Sequence, residues 1–180
     1  MEDVRSDILQ RKLVKSSDYI LREKTIPFDF ANQPMPAVDI ADIMRYNMIY
    51  HKGIGLAAPQ IGYNYSIFAV GNPDIEESVL VFFNPKIVNY SEEFVKLKEG
   101  CVSFPNLFLN LKRPNEIRMR YTGATGITET SKFTGMTARI IQHEYDHLNG
   151  IIFHRLANSF HLNKAKLKQK SINRRKKNVT

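Results

Sequence analysis

The chain has one cysteine, Cys101, in 180 residues. No internal disulfide can staple it, so its fold need not mature in an oxidising compartment. It lacks any uninterrupted apolar stretch approaching the roughly 18 residues of a membrane span, and no repeat of about 20–50 residues is visible. The opening segment MEDVRSDILQRK has no apolar core of a secretory signal and contains the acids that transit peptides avoid. A cytoplasmic-type protein with no membrane anchor is therefore expected. Acidic residues are missing altogether from residues 161–180, which hold eight Lys or Arg, and this stretch equals the whole formal charge of +8. The remaining 160 residues balance 18 basic against 18 acidic side chains.

What is present suits one globular domain. A 43% hydrophobic fraction argues against wholesale disorder, and the length is enough to bury a real core. After Pro36, the residues Ile40, Ile43, Met44 and Met48 recur at helical spacing before Gly53, so 37–52 reads as an amphipathic helix. A shorter helix is expected near Asp7–Val14. From Tyr65 to Tyr121 the pattern becomes short β-type runs: YSIFAV, VLVFF, KIVNY, FVKLKE and EIRMRY. A second long helix is expected from about Thr134 to Leu148, ending at Gly150. Helix, several strands, then helix points to α+β rather than to an alternating parallel sheet. The Gly- and Thr-rich stretch 122–135 carries no assignment.

That second helix contains His143-Glu144-Tyr145-Asp146-His147, an HExxH pattern. Four residues make about one helical turn, so both imidazoles reach one ion while Glu144 stands beside it. Two imidazoles with a carboxylate held off the metal is an arrangement that activates water. A solvated polar helix face is the bland alternative. A catalytic site of this kind needs a third ligand; the downstream His154 and His161 are not at metzincin spacing, which leaves Cys101 in EGCVSFP. A third segment, GIGLAAPQIG at 53–62, permits close backbone approach, and its Gln60 offers an amide NH₂ to an oxyanion. By itself it reads better as a glycine-rich turn after a helix, and it lacks the Lys and Ser/Thr of a phosphate loop.

Together, in this order and at these separations, GIGLAAPQIG, EGCVSFP and QHEYDHLNG resemble the three signature motifs of peptide deformylases, hydrolases that release formate from the N-formyl-methionine of new polypeptides. The resemblance spans roughly residues 20–156 and implies an α+β fold with antiparallel strands around the HExxH helix. It implies Cys101, His143 and His147 as metal ligands and Glu144 as general acid/base. Gln60 and the Val102 N–H would hold the formyl oxygen, while backbone groups at Ile54, Gly55 and Gly100 would pair with an extended peptide. Ile54, Met136 and Ile140 would accept the methionine side chain, and Glu99, Arg113 and Asp146 would orient the ligands. A CysHis₂ set suits zinc on general grounds; the resemblance points to Fe²⁺, with Zn²⁺, Ni²⁺ or Co²⁺ as substitutes. A monomer acting on formyl-methionyl nascent peptides is implied.

Two other readings use the same residues: a peptidase built on the HExxH helix, and a nucleic-acid-binding protein led by the basic terminus. The domain division expected is a catalytic unit over 1–157 and a basic tail over 158–180. Within the tail, 158–170 is expected to form a helix with an incomplete apolar stripe, and 171–180 to be disordered in isolation. Ribosome docking is the sharper reading of that tail and a solubilising charge the plainer one.

Overall fold

The computed structural model describes residues 9–33 and 35–177. The described elements include α-helices α1 (Ala37–Tyr50), α2 (Gly135–Leu148) and α3 (Ser159–Lys177) and strands β1 (Gly55–Ala57), β2 (Ile67–Val70), β3 (Leu80–Tyr90), β4 (Phe94–Cys101), β5 (Phe104–Pro114), β6 (Glu116–Thr122) and β7 (Thr128–Thr134). Five strands form a sheet in the order β1-β2-β3-β6-β7, and β4 and β5 form a separate two-stranded sheet. Every pairing between these strands is antiparallel. The α+β class expected from the sequence is the one observed. The helix expected near Asp7–Val14 begins outside the described residues, and residues 10–14 carry no regular structure.

The HExxH helix α2 lies between the two sheets, and its sequence explains why. Ala138, Ile141 and Leu148 share one stripe and pack with Phe68, Phe82, Ile117 and Met119 of the larger sheet. The stripe turned the other way carries Arg139 and His143, which bond to the β4–β5 hairpin. On the same larger sheet, α1 buries Ile40, Ile43, Met44 and Met48 against Leu56, Ile67 and Phe83.

Strand β3 joins the two runs VLVFF and KIVNY into one element, broken by a register shift between Phe83 and Lys86. Asn84 sits there at φ 48°, a conformation that Asn tolerates better than most residues. Its side chain donates to Phe28 O at 2.8 Å and accepts from Phe28 N at 2.7 Å. Pro85, which has no N–H to donate, falls in this irregular stretch, where the ladder loses least.

Three strands escaped the sequence reading: β1, Gly55–Ala57, lies in the segment that reads as a glycine-rich turn, and β5 and β7 were not assigned. In β5, Leu107, Leu109, Leu111 and Arg113 alternate toward the interior, but Pro105 and two asparagines break the composition expected of a strand. The unassigned 122–135 segment is the β6–β7 hairpin, closed by Gly123 N–H to Ile127 O at 2.8 Å with Gly126 at φ 82°.

The basic C-terminus also differs from expectation. Helix α3 runs on to Lys177 instead of ending at 170. Leu162, Ala165, Gln169 and Ile172 form its half-buried stripe, with Leu162 and Ala165 packed against the cluster of Leu107, Leu109 and Leu111. Phe160 and Leu167, apolar residues of the same helix, lie off this stripe, 70% and 69% exposed. Two hydrogen bonds hold its second half: Gln169 Nε2 donates to Pro105 O at 2.8 Å, and Asn106 Nδ2 donates to Asn173 Oδ1 at 2.8 Å. This tertiary anchoring, added to the good helix propensity of Lys, Arg and Gln, keeps 171–177 helical.

Helix α2 ends as its sequence foretells. Gly150 adopts φ 69°, its N–H bonds His147 O at 3.1 Å, and the Ile151 N–H bonds Asp146 O at 2.9 Å, a Schellman closure. A Cβ at Gly150 would lie 2.5 Å from Arg22 O. Gly150→Ala combines left-handed strain with a backbone clash, so we expect a loss of at least about 2 kcal/mol, read as a lowered denaturant midpoint at unchanged m-value.

Candidate active site

Three segments distant in sequence converge beside α2. Cys101 closes β4 and pairs with Phe104, so Val102-Ser103 form the tight turn into β5 and place the thiol at the hairpin tip. The histidines stand one turn apart on α2, with ring centroids 5.2 Å apart. Ligating atoms of Cys101, His143 and His147 all lie within 4.8 Å of one another, and Cys101 Sγ is 3.3 Å from His147 Nε2. One thiol and two imidazoles are a donor set for a late first-row divalent ion, and the convergence of their atoms fits such an ion. Among the described residues this is the one group of three or more Cys, His, Asp or Glu side chains so arranged.

The glycine-rich segment supplies the opposite wall. Strand β1 leads into a 3₁₀ turn, Ala58–Ile61, closed by Gly62 at φ 88°. Gln60 is only 1% exposed; its Oε1 accepts from Ala57 N at 2.7 Å, which turns the NH₂ inward, 3.4 Å from Cys101 Sγ and 3.0 Å from Ser103 Oγ. Gly55 is close-packed: a Cβ there would come within 2.4 Å of Glu144 Oε1 and 2.8 Å of Ile140 Cγ2. Glu144 is buried and its Oε2 has no hydrogen-bond partner. A carboxylate oxygen left unpartnered in a buried site is costly unless a ligand, water or substrate completes it. Burial, partly offset by the charges of His143 and Arg113, pushes its pKa up to about 7, the range in which a carboxyl both takes and returns protons near neutrality.

Below the thiol and imidazoles lies a buried ionic network. Glu99 Oε2 meets His143 Nδ1 at 3.2 Å. Arg113 bonds the same carboxylate through Nε at 2.7 Å and Nη2 at 3.0 Å, and reaches Asp146 Oδ2 with Nη1 at 2.8 Å. Arg139 adds a third cationic contact to Glu99 and also donates to the carbonyls of Leu111 and Val95. Burial opposes the Glu99 carboxylate, but the hydrogen bonds from His143 and Arg113 outweigh it and hold the group down at about 2. Asp146 is raised by burial, with Arg113 acting against the shift. For His143, burial is outweighed by the Cys101 and Glu99 hydrogen bonds, which lift it to about 10. Burial and the His143 charge push His147 well below its ordinary value. Ion uptake by this set displaces protons, since ligating imidazole and thiolate are the deprotonated forms.

All the residues expected at the site border one cavity of about 440 Å³ or stand directly behind it. Ile54, Gly55, Gln60, Gly100, Met136 and Ile140 line it with Cys101, Val102 and Glu144. Ile54 and Met136 form an apolar rim, 52% and 53% exposed, and Gly100 lies where a Cβ would meet the Phe108 ring at 2.7 Å. His143 and Glu99 reach the wall, whereas Arg113, Asp146 and His147 stand behind it. Two residues were missed. Arg139 lies four positions before His143 on the same helical face, and an arginine on a stripe otherwise committed to the site was the available signal. Ser103 sits in EGCVSFP itself, but its bond to Gln60 becomes visible only when two distant loops meet.

The family known as Polypeptide deformylase matches residues 10–162. A peptide deformylase of Prochlorococcus marinus subsp. pastoris is 35% identical over 161 residues, covering 88% of this chain and 79% of that one. Peptide deformylase 1B, chloroplastic/mitochondrial, of Arabidopsis thaliana is 37% identical over 79% of this chain, which spans 52% of that protein's length. Among solved structures, a plant peptide deformylase PDF1B superposes with a TM-score of 0.80 at 31% identity, covering 94% of this chain and 92% of that one. The Synechococcus elongatus peptide deformylase, solved in complex with actinonin, gives 0.79 at 33% identity, covering 89% and 86%.

Replacing Glu99 by Ala strands two buried arginines, and we expect a loss of about 3–5 kcal/mol, whereas breaking the exposed Lys132–Glu116 pair costs under about 1 kcal/mol. Because the folded pKa of Glu99 is depressed, its contribution is complete above the ordinary 4.5 and is lost as pH falls through about 2. Urea titrations of wild type and Glu99→Ala at pH 7 and pH 3 read both effects. With the motif residues gathered at one cavity, and the family match, the relatives and the solved structures in agreement, the chain belongs to the peptide deformylase family, the metal-dependent hydrolases that remove the N-formyl group from nascent polypeptides.

Proposed function

We propose that this chain deformylates N-formyl-methionyl peptides with Cys101, His143 and His147 holding one divalent ion, Glu144 as proton carrier, and Gln60 and the Val102 N–H as oxyanion donors. One observation supports this above the rest: Glu144, whose buried Oε2 has no partner, lines the same cavity as Cys101 and His143. A divalent ion in that donor set supplies Lewis acidity, lowering the pKa of water and polarising the formyl carbonyl.

The protein does the rest. The methionine side chain enters between Ile54, Met136 and Ile140, and the peptide backbone extends along the free edge of β1 at Ile54 and Gly55 and along Gly100 of β4, adding a strand between two sheet edges. Glu144 accepts a proton as water attacks the formyl carbon. The Gln60 NH₂, already aimed by Ala57, and the Val102 N–H bond the developing oxyanion. As the C–N bond breaks, Glu144 delivers its proton to the departing amine, leaving formate and a free methionyl N-terminus. Glu99, steadied by Arg113 and Arg139, fixes the His143 ring through Nδ1 and leaves Nε2 for the ion, while Asp146 steadies Arg113.

The resemblance of the three motifs favours Fe²⁺ as the native ion, with Zn²⁺, Ni²⁺ and Co²⁺ as substitutes. Glu144→Gln keeps the ion and the fold but lowers turnover of formyl-Met-Ala-Ser by at least about 100-fold. The iron form loses activity in air as the thiolate oxidises. Release of primary amine, measured anaerobically and after air exposure, checks both; full activity in Glu144→Gln overturns the assignment of Glu144, and an air-stable iron form overturns iron.

We assign the enzyme to a cytoplasmic-type setting in which translation starts with formyl-methionine; among the described residues no helix is long and apolar enough to cross a membrane. A monomer suits a site completed within one chain. Helix α3 offers Lys166, Lys170 and Arg174 to solvent, a face suited to ribosomal phosphates near the emerging chain. Wild-type protein should then co-sediment with ribosomes at low salt and detach steeply as salt rises. Lys166→Glu/Lys170→Glu/Arg174→Glu should abolish sedimentation, and unaltered sedimentation refutes the docking.

A further inference from the structure

The cavity that holds the motif residues does not end at Gly100. Its wall includes Lys98, Asn106 and Phe108, and the same three residues line a second groove of about 160 Å³ whose other wall is Ala165, Lys168 and Ile172 of α3. Phe108 also borders a third groove of about 460 Å³, which takes in Lys96 from β4 and Lys164 and Lys168 from α3. The C-terminal helix therefore forms the outer bank of a channel that continues outward from the active site. It is held there by the Gln169–Pro105 and Asn106–Asn173 hydrogen bonds and by Leu162 and Ala165 against β5.

The channel has one sign of charge. Lys52 and Lys98 stand exposed on the cavity lining, and Lys96, Lys164 and Lys168 follow along the two outer grooves. None of these five forms an ion pair among the described residues. The acids of the cavity lining, Glu99 and Glu144, are buried, and the outer grooves have none. Lys98 lies over the Phe108 ring, 4.4 Å from its centroid, a cation–π contact that holds its ammonium at the junction of cavity and groove without neutralising it. A lined concavity of one charge concentrates ligands of the other.

We propose that this channel receives the part of the substrate downstream of the formyl-methionine and selects nascent chains with acidic side chains there, so that α3 is part of the substrate-binding surface. This rests on the deformylase reading of the cavity. The downstream chain leaves the site extended between two sheet edges and passes Lys98 and Phe108; carboxylates along it pair with Lys98, Lys168 and Lys164, while lysines are repelled. Exposed pairs of this kind are individually weak and screened by salt, so selection appears in KM and fades at high ionic strength.

The test uses the full-length, metal-loaded protein and three peptides, formyl-Met-Ala-Ala followed by three Glu, three Gln or three Lys and an amidated end. At low salt, kcat/KM for the Glu peptide should exceed that for the Gln peptide by about three- to tenfold, chiefly through KM, with the Lys peptide lowest. The Glu-to-Gln ratio should fall toward one in Lys98→Gln/Lys168→Gln and in wild type at high salt, while Lys86→Gln on β3, outside the channel, leaves the ratio intact. Equal kcat/KM for Glu and Gln peptides, both being deformylated, overturns the proposal. Failure to deformylate any of the three overturns the deformylase reading instead. If a short single-stranded RNA binds the protein, and Lys98→Gln/Lys168→Gln abolishes that binding while leaving the Glu-to-Gln ratio unchanged, the channel is an RNA site and the proposal fails.

Discussion

Glu99 carries more of this structure than its single carboxylate suggests. It comes from β4, bonds Arg113 from β5, and meets both Arg139 and His143 from α2, so one charge ties the small hairpin to the helix. The larger sheet holds α2 by apolar contact, which is strong but indifferent to small slides. The ionic face is directional: a buried carboxylate shared by two guanidinium groups is satisfied in few geometries. That constraint sets the hairpin tip against the helix, and with it the distance from Cys101 to the two histidines.

The cost of this arrangement is desolvation of several charges, which ion pairs seldom recover as net stability. The return is placement. Asp146 shares the Arg113 charge, and the carbonyls of Val95 and Leu111 accept two further Arg139 hydrogen bonds, leaving little freedom for the His143 ring. Across the cavity a neutral device does the equivalent work, with the Ala57 N–H turning Gln60 and the absent side chain of Gly55 leaving room for Glu144. The thiol-and-imidazole cluster thus faces the Glu144 carboxyl and the Gln60 amide, each held by a different part of the fold.

Legibility in the sequence followed the range of the forces involved. Helices α1 and α2 were readable because an apolar stripe and a glycine stop are local properties. Strand β5 was not: Pro105, Asn106 and Asn110 masked the alternation of Leu107, Leu109, Leu111 and Arg113, which acquires meaning only against α3 and the residues after α2. Strand β7 was hidden for another reason. It is a polar edge strand, TETSKFT, whose order comes from its ladder with β6 and not from any side-chain period. Ser103 and Arg139 were missed because their roles are contacts between segments tens of residues apart.

By itself the sequence determined the chemistry: which side chains can ligate, carry a proton or donate to an oxyanion, because HExxH spacing and the amide of Gln60 are covalent facts. Only the tertiary structure decided where the described residues of the basic C-terminus sit. Read as a string, they form an appendage with a broken apolar stripe. Folded, Leu162, Ala165, Gln169 and Ile172 lie on one side of α3 and dock it on β5, so that Lys164 and Lys168 border a channel continuous with the active site. A helix shows its neighbours only the face that packing selects, and the partner surface that selects it includes β5, far earlier in the chain.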